Sequence, residues 1–315
     1  MPTTTESTLR TISPSQMRYW DHCPQAWEYS YNEELYRPEA SRPFFDFGNY
    51  THELMHVYYQ LLQANPALKP GDDVLVRAMQ SRVRSDLTGE NLENVSKVWP
   101  RLQSWLINQS PKIDTKITVL GVEIEFKIPV TTLRGNSVLL HGFIDLLYRD
   151  SAGKVRIRDH KTGADSRAHS ANSVKLDDQL LFYGVANDVP DVEINFVSSK
   201  ILKTKEVPLA EQFALYRHQH TPAGLEIAKA NLLNKIDVML DSPTWKNYSP
   251  KCPNCQFFDI CHIESRGLST AGVKLNSYQR GKKNDRTKFK LEEGGGASEE
   301  NSSGNSGFKI SFTNL

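Results

Sequence analysis

The 315-residue chain has no long apolar run, no large excess of charge of either sign, and few cysteines. No apolar stretch approaches the ~18 residues that would cross a bilayer, and the opening MPTTTESTLR is too polar for a secretion signal. The 38 lysines and arginines balance 37 aspartates and glutamates, which excludes a histone-like polycation. Nucleic-acid binding stays open, because acidic catalytic residues can offset a basic groove. We therefore expect a soluble, cytoplasmic protein with no membrane association.

Apolar residues make up only 38% of the chain, and part of the shortfall is local. Residues 292–307 read EEGGGASEENSSGNSG, and six basic residues lie within 280–290. Segments of this composition cannot bury a core. The sequence thus predicts a flexible start at 1–11, one folded domain at 12–265, and a largely disordered tail at 266–315.

The four cysteines are unevenly spread. Cys252, Cys255 and Cys261 form a C-x2-C-x5-C pattern, whereas Cys23 lies far upstream. Reducing conditions in the cytosol disfavour disulfides. Four thiolates can bind a zinc ion or an iron–sulfur cluster. Spacing alone does not choose between them, and unrelated free thiols are a further alternative.

Helical and strand periodicities follow one another along the chain. Helical spacing predicts helices at 13–31, 45–64, 72–86, 91–109 and 174–187, with long helical stretches across 208–240. Alternation predicts strands at 117–128, 138–148, 154–161 and 193–200. In the first of these strands, one face holds Val122, Ile124, Phe126 and Ile128, and the other holds Glu123, Glu125 and Lys127. This order of elements predicts an α/β fold.

The strand at 154–161 carries charges where its apolar face calls for core residues. Alternation puts Asp159 and Lys161 on the same face as Val155 and Ile157, whereas Arg158 falls on the opposite face. Burying charges is costly unless they are paired or bind a metal. The bland interpretation is a structural ion pair between Lys161 and an aspartate.

A catalytic interpretation adds Asp145, which lies in the preceding strand among leucines. Adjacent strands can bring Asp145 and Asp159 to one cleft, where two carboxylates suit Mg²⁺ or Mn²⁺. Lys161 would then polarise an attacking water or stabilise charge on a phosphate.

Three further polar side chains are candidates for the same site. Gln179 and Tyr183 share a helix face at i, i+4 spacing. His52 points away from the apolar stripe of its own helix, so a buried core histidine is a poor account of it.

The ordered set of motifs resembles the RecB-type nucleases of the PD-(D/E)XK superfamily. The resemblance rests on SPSQMRYWDHCPQAWEY (13–29), GNYTH (48–52), GFID (142–145), DHK (159–161), QLLFY (179–183) and the cysteine pattern, and it covers about 12–262. Two departures are Ile144 in place of the proline of the superfamily's name and Asp159 in place of a glutamate.

The resemblance implies a restriction-endonuclease-like core: a mixed central sheet flanked by helices, with extra N- and C-terminal helices closed by a four-cysteine cluster site. The implied activity is metal-dependent cleavage of DNA, as an exonuclease acting on ends or single strands. Implied partners are DNA and, through the tail, a helicase, a single-strand-binding protein or a recombination protein. DNA repair or recombination is the implied setting.

The resemblance also implies a role for each site residue. His52, Asp145 and Asp159 would ligate Mg²⁺ or Mn²⁺, Lys161 would be the catalytic lysine, and Gln179 and Tyr183 would position the DNA strand or support the site. The [4Fe–4S] cluster of related CRISPR-associated and AddB-type nucleases would be held by four thiolates, with zinc as the alternative occupant. These are Cys23, Cys252, Cys255 and Cys261.

Two other functions compete with this interpretation. HELMH at 52–56 spells the H-E-x-x-H signature of zinc metalloproteases, although no third ligand stands out. A catalytically silent DNA-binding or scaffold subunit would keep the nuclease fold, but such a subunit is expected to have lost some of the site residues.

Overall fold

A six-stranded mixed sheet forms the centre of the protein. The computed structural model describes residues 9–38, 43–86, 89–164, 171–200 and 207–281. In spatial order the main path runs β1-β4-β5-β6-β7, with β3 on the free edge of β4. Those strands are β1 (Arg10–Ile12), β3 (Thr118–Thr131), β4 (Ser137–Arg149), β5 (Val155–Gly163), β6 (Asp191–Ser198) and β7 (Phe213–Gln219). A separate antiparallel pair joins β2 (Leu35–Tyr36) to β8 (Gln279–Arg280).

Helices cover both faces of the sheet, and three of those described begin with a side-chain cap that satisfies free backbone N–H groups. Ser13 caps the helix that starts at Pro14, Asp177 the one that starts at Asp178, and Thr221 the one that starts at Pro222. The helices are α1 (Pro14–His22), α2 (Pro24–Trp27), α3 (Pro43–Ala64), α4 (Asp73–Asp86), α5 (Gly89–Asn108), α6 (Ser110–Ile113), α7 (Ala171–Val174), α8 (Asp178–Asn187), α9 (Leu209–Gln212), α10 (Pro222–Asp241), α11 (Phe258–Ser265) and α12 (Ala271–Ser277). None in the described parts of the chain has the length and apolarity that crossing a membrane requires.

Two apolar clusters sandwich the sheet. One includes Trp20 of α1, Phe182 of α8 and Ile236 of α10. The other includes Leu54 of α3 and Trp105 of α5. The predicted α/β class, with a mixed sheet flanked by helices, is therefore confirmed and is consistent with a restriction-endonuclease-like core.

Three predicted boundaries differ from the structure. The helix predicted at 13–31 breaks at Cys23, because Pro24 starts α2 and a π-helical turn at Glu28–Asn32 follows it. The helical stretch predicted across 208–240 contains β7, whose antiparallel pairing with β6 overrides local helical spacing. The helix predicted at 174–187 is split into α7 and α8.

The ordered chain extends further at both ends than we expected. Arg10 and Thr11, predicted to be flexible, pair with β4 in parallel. At the other end α12 and β8 extend the fold beyond residue 265, because Tyr278 is buried and stacks on Phe257. The apolar end of the tail, at 308–315, lies outside the described residues.

Strand β4 changes partner along one edge. Its other edge pairs with β3 over nearly the whole strand. The remaining edge therefore pairs first with β1, at 138–140, and then with β5, at 146–149. The sheet forks between these two pairings, and Asp145 lies at the fork.

The hairpin of β3 and β4 also switches faces at this point. Ile144 packs in the cluster of α1 and α8, whereas Leu146 packs in the cluster of α3 and α5, although simple alternation puts both on one face. On β3, Ile124 and Val122 divide in the same way. Glu123, which lies between them, has a φ of 51°. The single polar face predicted for Glu123, Glu125 and Lys127 is therefore wrong, because the strand twists at Glu123.

A buried arginine locks β5 to its neighbours. The Arg158 guanidinium ion-pairs with Asp114 at 2.6 Å and with Glu193 of β6, and all three side chains are fully buried. The hydroxyl of Tyr148 donates to Glu193 at 2.9 Å, which joins β4 to the network. Burial alone would raise the pKa of Glu193, but Arg158 and Arg217 lower it below its ordinary value.

Replacing Arg158 with leucine should destabilise the fold by about 3–5 kcal/mol, because Asp114 would be left buried without a cation. Glu193 would keep only its ion pair with the half-exposed Arg217. Urea denaturation measures this loss. The control is Lys235→Met, which removes a partly exposed ion pair with Asp21 and should cost less than about 1 kcal/mol. Equal losses for the two variants would contradict the structural importance of Arg158.

Candidate active site at the fork of the sheet

Asp145 is the centre of a charged site at the fork. Its Oδ2 atom accepts a hydrogen bond from the backbone N–H of His160 at 2.8 Å and lies 3.4 Å from Nδ1 of His52. Burial raises the pKa of Asp145 to about 6; the charges of Asp159 and Glu123 add to the rise and His52 opposes it. The carboxylates of this pocket therefore repel one another, and a bound cation would reduce that repulsion.

Helix α3 brings His52 to this carboxylate because it approaches β5 closely. A side chain at Gly48 would put its Cβ 3.1 Å from Oγ1 of Thr162, so glycine allows the helix to approach the strand. His52 follows one helical turn later on the same side of α3. The G-x-x-x-H spacing is thus a packing requirement as well as a motif.

Asp159 and Lys161 face α8, as the alternation of β5 predicts. Lys161 Nζ lies 2.7 Å from Oδ2 of Asp159 and donates to Oε1 of Gln179 at 2.7 Å. Gln179 returns a hydrogen bond to Oδ1 of Asp159 at 2.8 Å and donates another to the hydroxyl of Tyr183 at 2.9 Å. The four side chains form one continuous polar network.

Lys161 keeps its positive charge in this network. Burial alone would lower the pKa of Lys161, but Asp159 and then Asp145 raise it above its ordinary value. The structural ion pair and the catalytic site predicted from the sequence are therefore compatible. The ion pair with Asp159 exists, and it holds a charged lysine beside the carboxylates.

Glu123 is a member of the site that sequence reasoning missed. His52, Glu123 and Asp145 each offer a ligand atom, and these atoms lie within 4.8 Å of one another. Val122 pairs with Leu146 and Ile124 with Ile144, so Glu123 and Asp145 lie between the same two pairs of the hairpin. The alternating pattern assigned Glu123 to a solvent-facing row, and only the twist of β3 brings it to the fork.

The four cysteines line a single cavity of about 130 Å³. The backbone N–H of Asn247 donates to Sγ of Cys23 at 3.4 Å, and that of Ser249 donates to Sγ of Cys252 at 3.2 Å. Burial raises the pKa of Cys261 to about 11, with Lys246 opposing the rise. Cys23 follows α1 and the other three surround the start of α11, so the site joins the two ends of the fold.

The family model described as the PD-(D/E)XK nuclease superfamily matches residues 11–262. The chain belongs to this superfamily. Its members are nucleases, that is, phosphodiester hydrolases, that use divalent metals such as Mg²⁺ or Mn²⁺. The chain is thus a metal-dependent nuclease with DNA as its implied substrate.

Other comparisons add little to this assignment. The solved structure titled "Crystal structure of SSO0001" aligns with a TM-score of 0.41 and 13% identity, over 80% of this chain and 85% of that one. No curated protein matches the chain significantly.

The donor set at the fork fits a divalent metal of the superfamily. Carboxylate oxygens suit hard cations such as Mg²⁺ and Mn²⁺, and an imidazole nitrogen is compatible with Mn²⁺. Among the described residues, no group of three or more candidate ligands includes His56. The H-E-x-x-H interpretation therefore has no support in this nuclease.

Gly142 leaves room for the rings of Phe126 and Tyr183, and the hydroxyl of Tyr183 belongs to the polar network. A Cβ there would lie 2.7 Å from both Cζ of Phe126 and Cε1 of Tyr183. We expect Gly142→Ala to cost about 1–3 kcal/mol in the free energy of unfolding, because this overpacking must push the rings away. Thermal and urea denaturation measure the loss.

Gly163→Ala on β5 is the matched control. The added Cβ would meet Phe196 at an ordinary 3.5 Å, so stability should change little. A Gly142→Ala variant as stable as this control would contradict the close packing of Tyr183.

Proposed function

We propose that the protein is a RecB-type iron–sulfur deoxyribonuclease that acts as an exonuclease on DNA ends or single strands. The observation that carries the proposal is the polar network at the fork, which joins Asp159, Lys161 and Gln179 within hydrogen-bonding distance. His52 and Asp145 lie alongside it. This juxtaposition supports phosphodiester hydrolysis at one site.

The proposed roles follow from the charges. His52, Asp145 and Asp159 would hold Mg²⁺ or Mn²⁺, which supplies positive charge for the scissile phosphate and lowers the pKa of a coordinated water. Lys161, protonated and fixed by a hydrogen bond to Gln179 and an ion pair with Asp159, would stabilise negative charge that develops on the phosphate.

Gln179 and Tyr183 act as positioning residues in this proposal. Gln179 contacts both Asp159 and Lys161, so it sets the distance between the carboxylate and the ammonium group. The hydroxyl of Tyr183 accepts a hydrogen bond from the side-chain amide of Gln179 and so fixes its orientation. DNA bound over the fork would then meet a pre-arranged lysine, which needs no reorganisation in the transition state.

A second part of the proposal concerns the cysteines and the domain. We assign residues 12–265 to one nuclease domain, in which the four thiolates hold a [4Fe–4S] cluster. The support is that all four cysteines line one cavity, so that four thiolates can reach a common centre. Backbone N–H groups that point at Cys23 and Cys252 suit cluster sulfurs as well.

Action on single strands has support beside the cysteines. Trp245 and Tyr248 expose 51% and 70% of their surfaces. Exposed aromatic rings are the platforms on which unpaired bases stack. The C-terminal segment at 282–315 would recruit a helicase, a single-strand-binding protein or a recombination protein.

Lys161→Ala and Asp145→Ala should each lower DNA cleavage at least about 100-fold, because the first removes a positive charge at the phosphate and the second removes a ligand of the metal. Linear end-labelled DNA, single- and double-stranded, is digested with Mg²⁺ or Mn²⁺ and compared with closed circles. Lys127→Ala, an exposed lysine on β3, is the control and should cleave normally. Undiminished cleavage by either site variant would reject these roles, and equal cleavage of circles would reject exonuclease action.

Cys255→Ser should lower both the iron content and the melting temperature, because cluster binding contributes folding free energy. The full chain is purified anaerobically and assayed for iron, acid-labile sulfide and zinc. The exposed Asn254→Ser variant, one residue away, should retain the cluster. Zinc without sulfide in the wild-type protein would contradict the cluster assignment.

A further inference from the structure

We propose that Glu123 is a fourth protein ligand of the catalytic cation, beside His52 and Asp145, supplied by the twist of β3. This inference rests on the metal site proposed above and extends it to a residue outside the sequence motifs. The three ligand atoms come from α3, β3 and β4 and lie within 4.8 Å of one another. A cation bound among them would therefore join three elements of the fold.

The distribution of hydrogen bonds at the fork favours this role. Asp159 directs one carboxylate oxygen at Gln179 and the other at Lys161. Among the described residues the buried Oδ2 atom of Asp159 has no hydrogen-bond partner, so it stays available to a cation beside its ion pair with Lys161. Hard divalent cations take about six oxygen-type ligands, more than His52, Asp145 and Asp159 supply. A further carboxylate beside Asp145 supplies one of them.

The backbone of Glu123 supports the same conclusion. Its φ of 51° lies in the left-handed region, which glycine adopts freely and a residue with a Cβ adopts at a cost. Glycine would adopt this backbone at lower cost. The position instead holds a carboxylate within reach of His52 and Asp145.

Glu125 is a natural comparison. It lies two residues further along β3, is exposed, and pairs with Lys127 at 2.8 Å and with His141 at 2.9 Å. Its carboxylate is therefore neutralised by cations of the protein itself. Glu123 and Glu125 share a strand and a charge but differ in their distance from Asp145.

The test is Mn²⁺ binding to the full chain without DNA, measured by isothermal titration calorimetry and by the electron paramagnetic resonance signal of free Mn²⁺. Glu123→Gln should weaken Mn²⁺ binding about tenfold or more, the range expected for residues that build a metal site. Glu125→Gln is the matched control and should bind like the wild type. Asp145→Asn is the reference for a lost ligand.

Glu123→Gly separates a ligand from a structural residue. Because glycine accepts the left-handed backbone, this variant should keep or raise the melting temperature measured without metal while losing as much Mn²⁺ affinity as Glu123→Gln. A side chain that only supports the strand would instead lower the melting temperature and leave the affinity unchanged.

Failure of this inference is distinguishable from failure of the proposed function. Wild-type affinity in Glu123→Gln, together with loss in Asp145→Asn, would overturn the role of Glu123 alone. Equal weakening in Glu125→Gln would overturn it too, since the effect would then be general electrostatics. A wild-type protein that binds no Mn²⁺ would overturn the metal site itself.

Discussion

The buried guanidinium of Arg158 is the interaction on which the rest of the structure depends. It draws Asp114, at the end of the helical layer, and Glu193, on the next strand, onto one face of β5. Strand alternation then places Asp159 and Lys161 on the opposite face, toward α8. Burying the charge of Arg158 or those of Asp159 and Lys161 is expensive, so each group needs oppositely charged or hydrogen-bonding partners on its own face of β5. One strand thereby fixes both the fold and the orientation of its candidate catalytic residues.

The fork of the sheet explains why charged side chains collect there. Where β4 leaves β1 and has not yet joined β5, its edge lacks ladder partners, and the side chain of Asp145 accepts the backbone N–H of His160 instead. The same place carries the twist at Glu123, which turns the hairpin from one apolar layer to the other. An irregular sheet therefore creates a polar pocket between two cores that exclude water.

The N-terminal and C-terminal parts of the described fold meet at the cysteines. The backbone N–H of Gln25 donates to the carbonyl of Trp245 at 3.0 Å, and β2 pairs with β8. Long-range pairings of this kind are entropically costly to form and benefit from a covalent or metal-centred link. A cluster held by thiolates from both ends would supply that link, which accounts for a structural role far from the fork.

The sequence by itself determined the class of fold, the identity of most strands and helices, and the motif residues His52, Asp145, Asp159, Lys161, Gln179 and Tyr183, all of which lie around the fork. It could do so because periodicity and motif spacing are local properties. Only the tertiary structure decided the strand at β7, the ordered segment beyond residue 265, the shared cavity of the cysteines and the position of Glu123. Each of these depends on a partner elsewhere in the chain. The partner is β6 for β7, Phe257 for Tyr278, Cys23 for the other three cysteines, and Asp145 for Glu123. Alternation within one strand cannot reveal a twist whose cause is the packing of two separate cores.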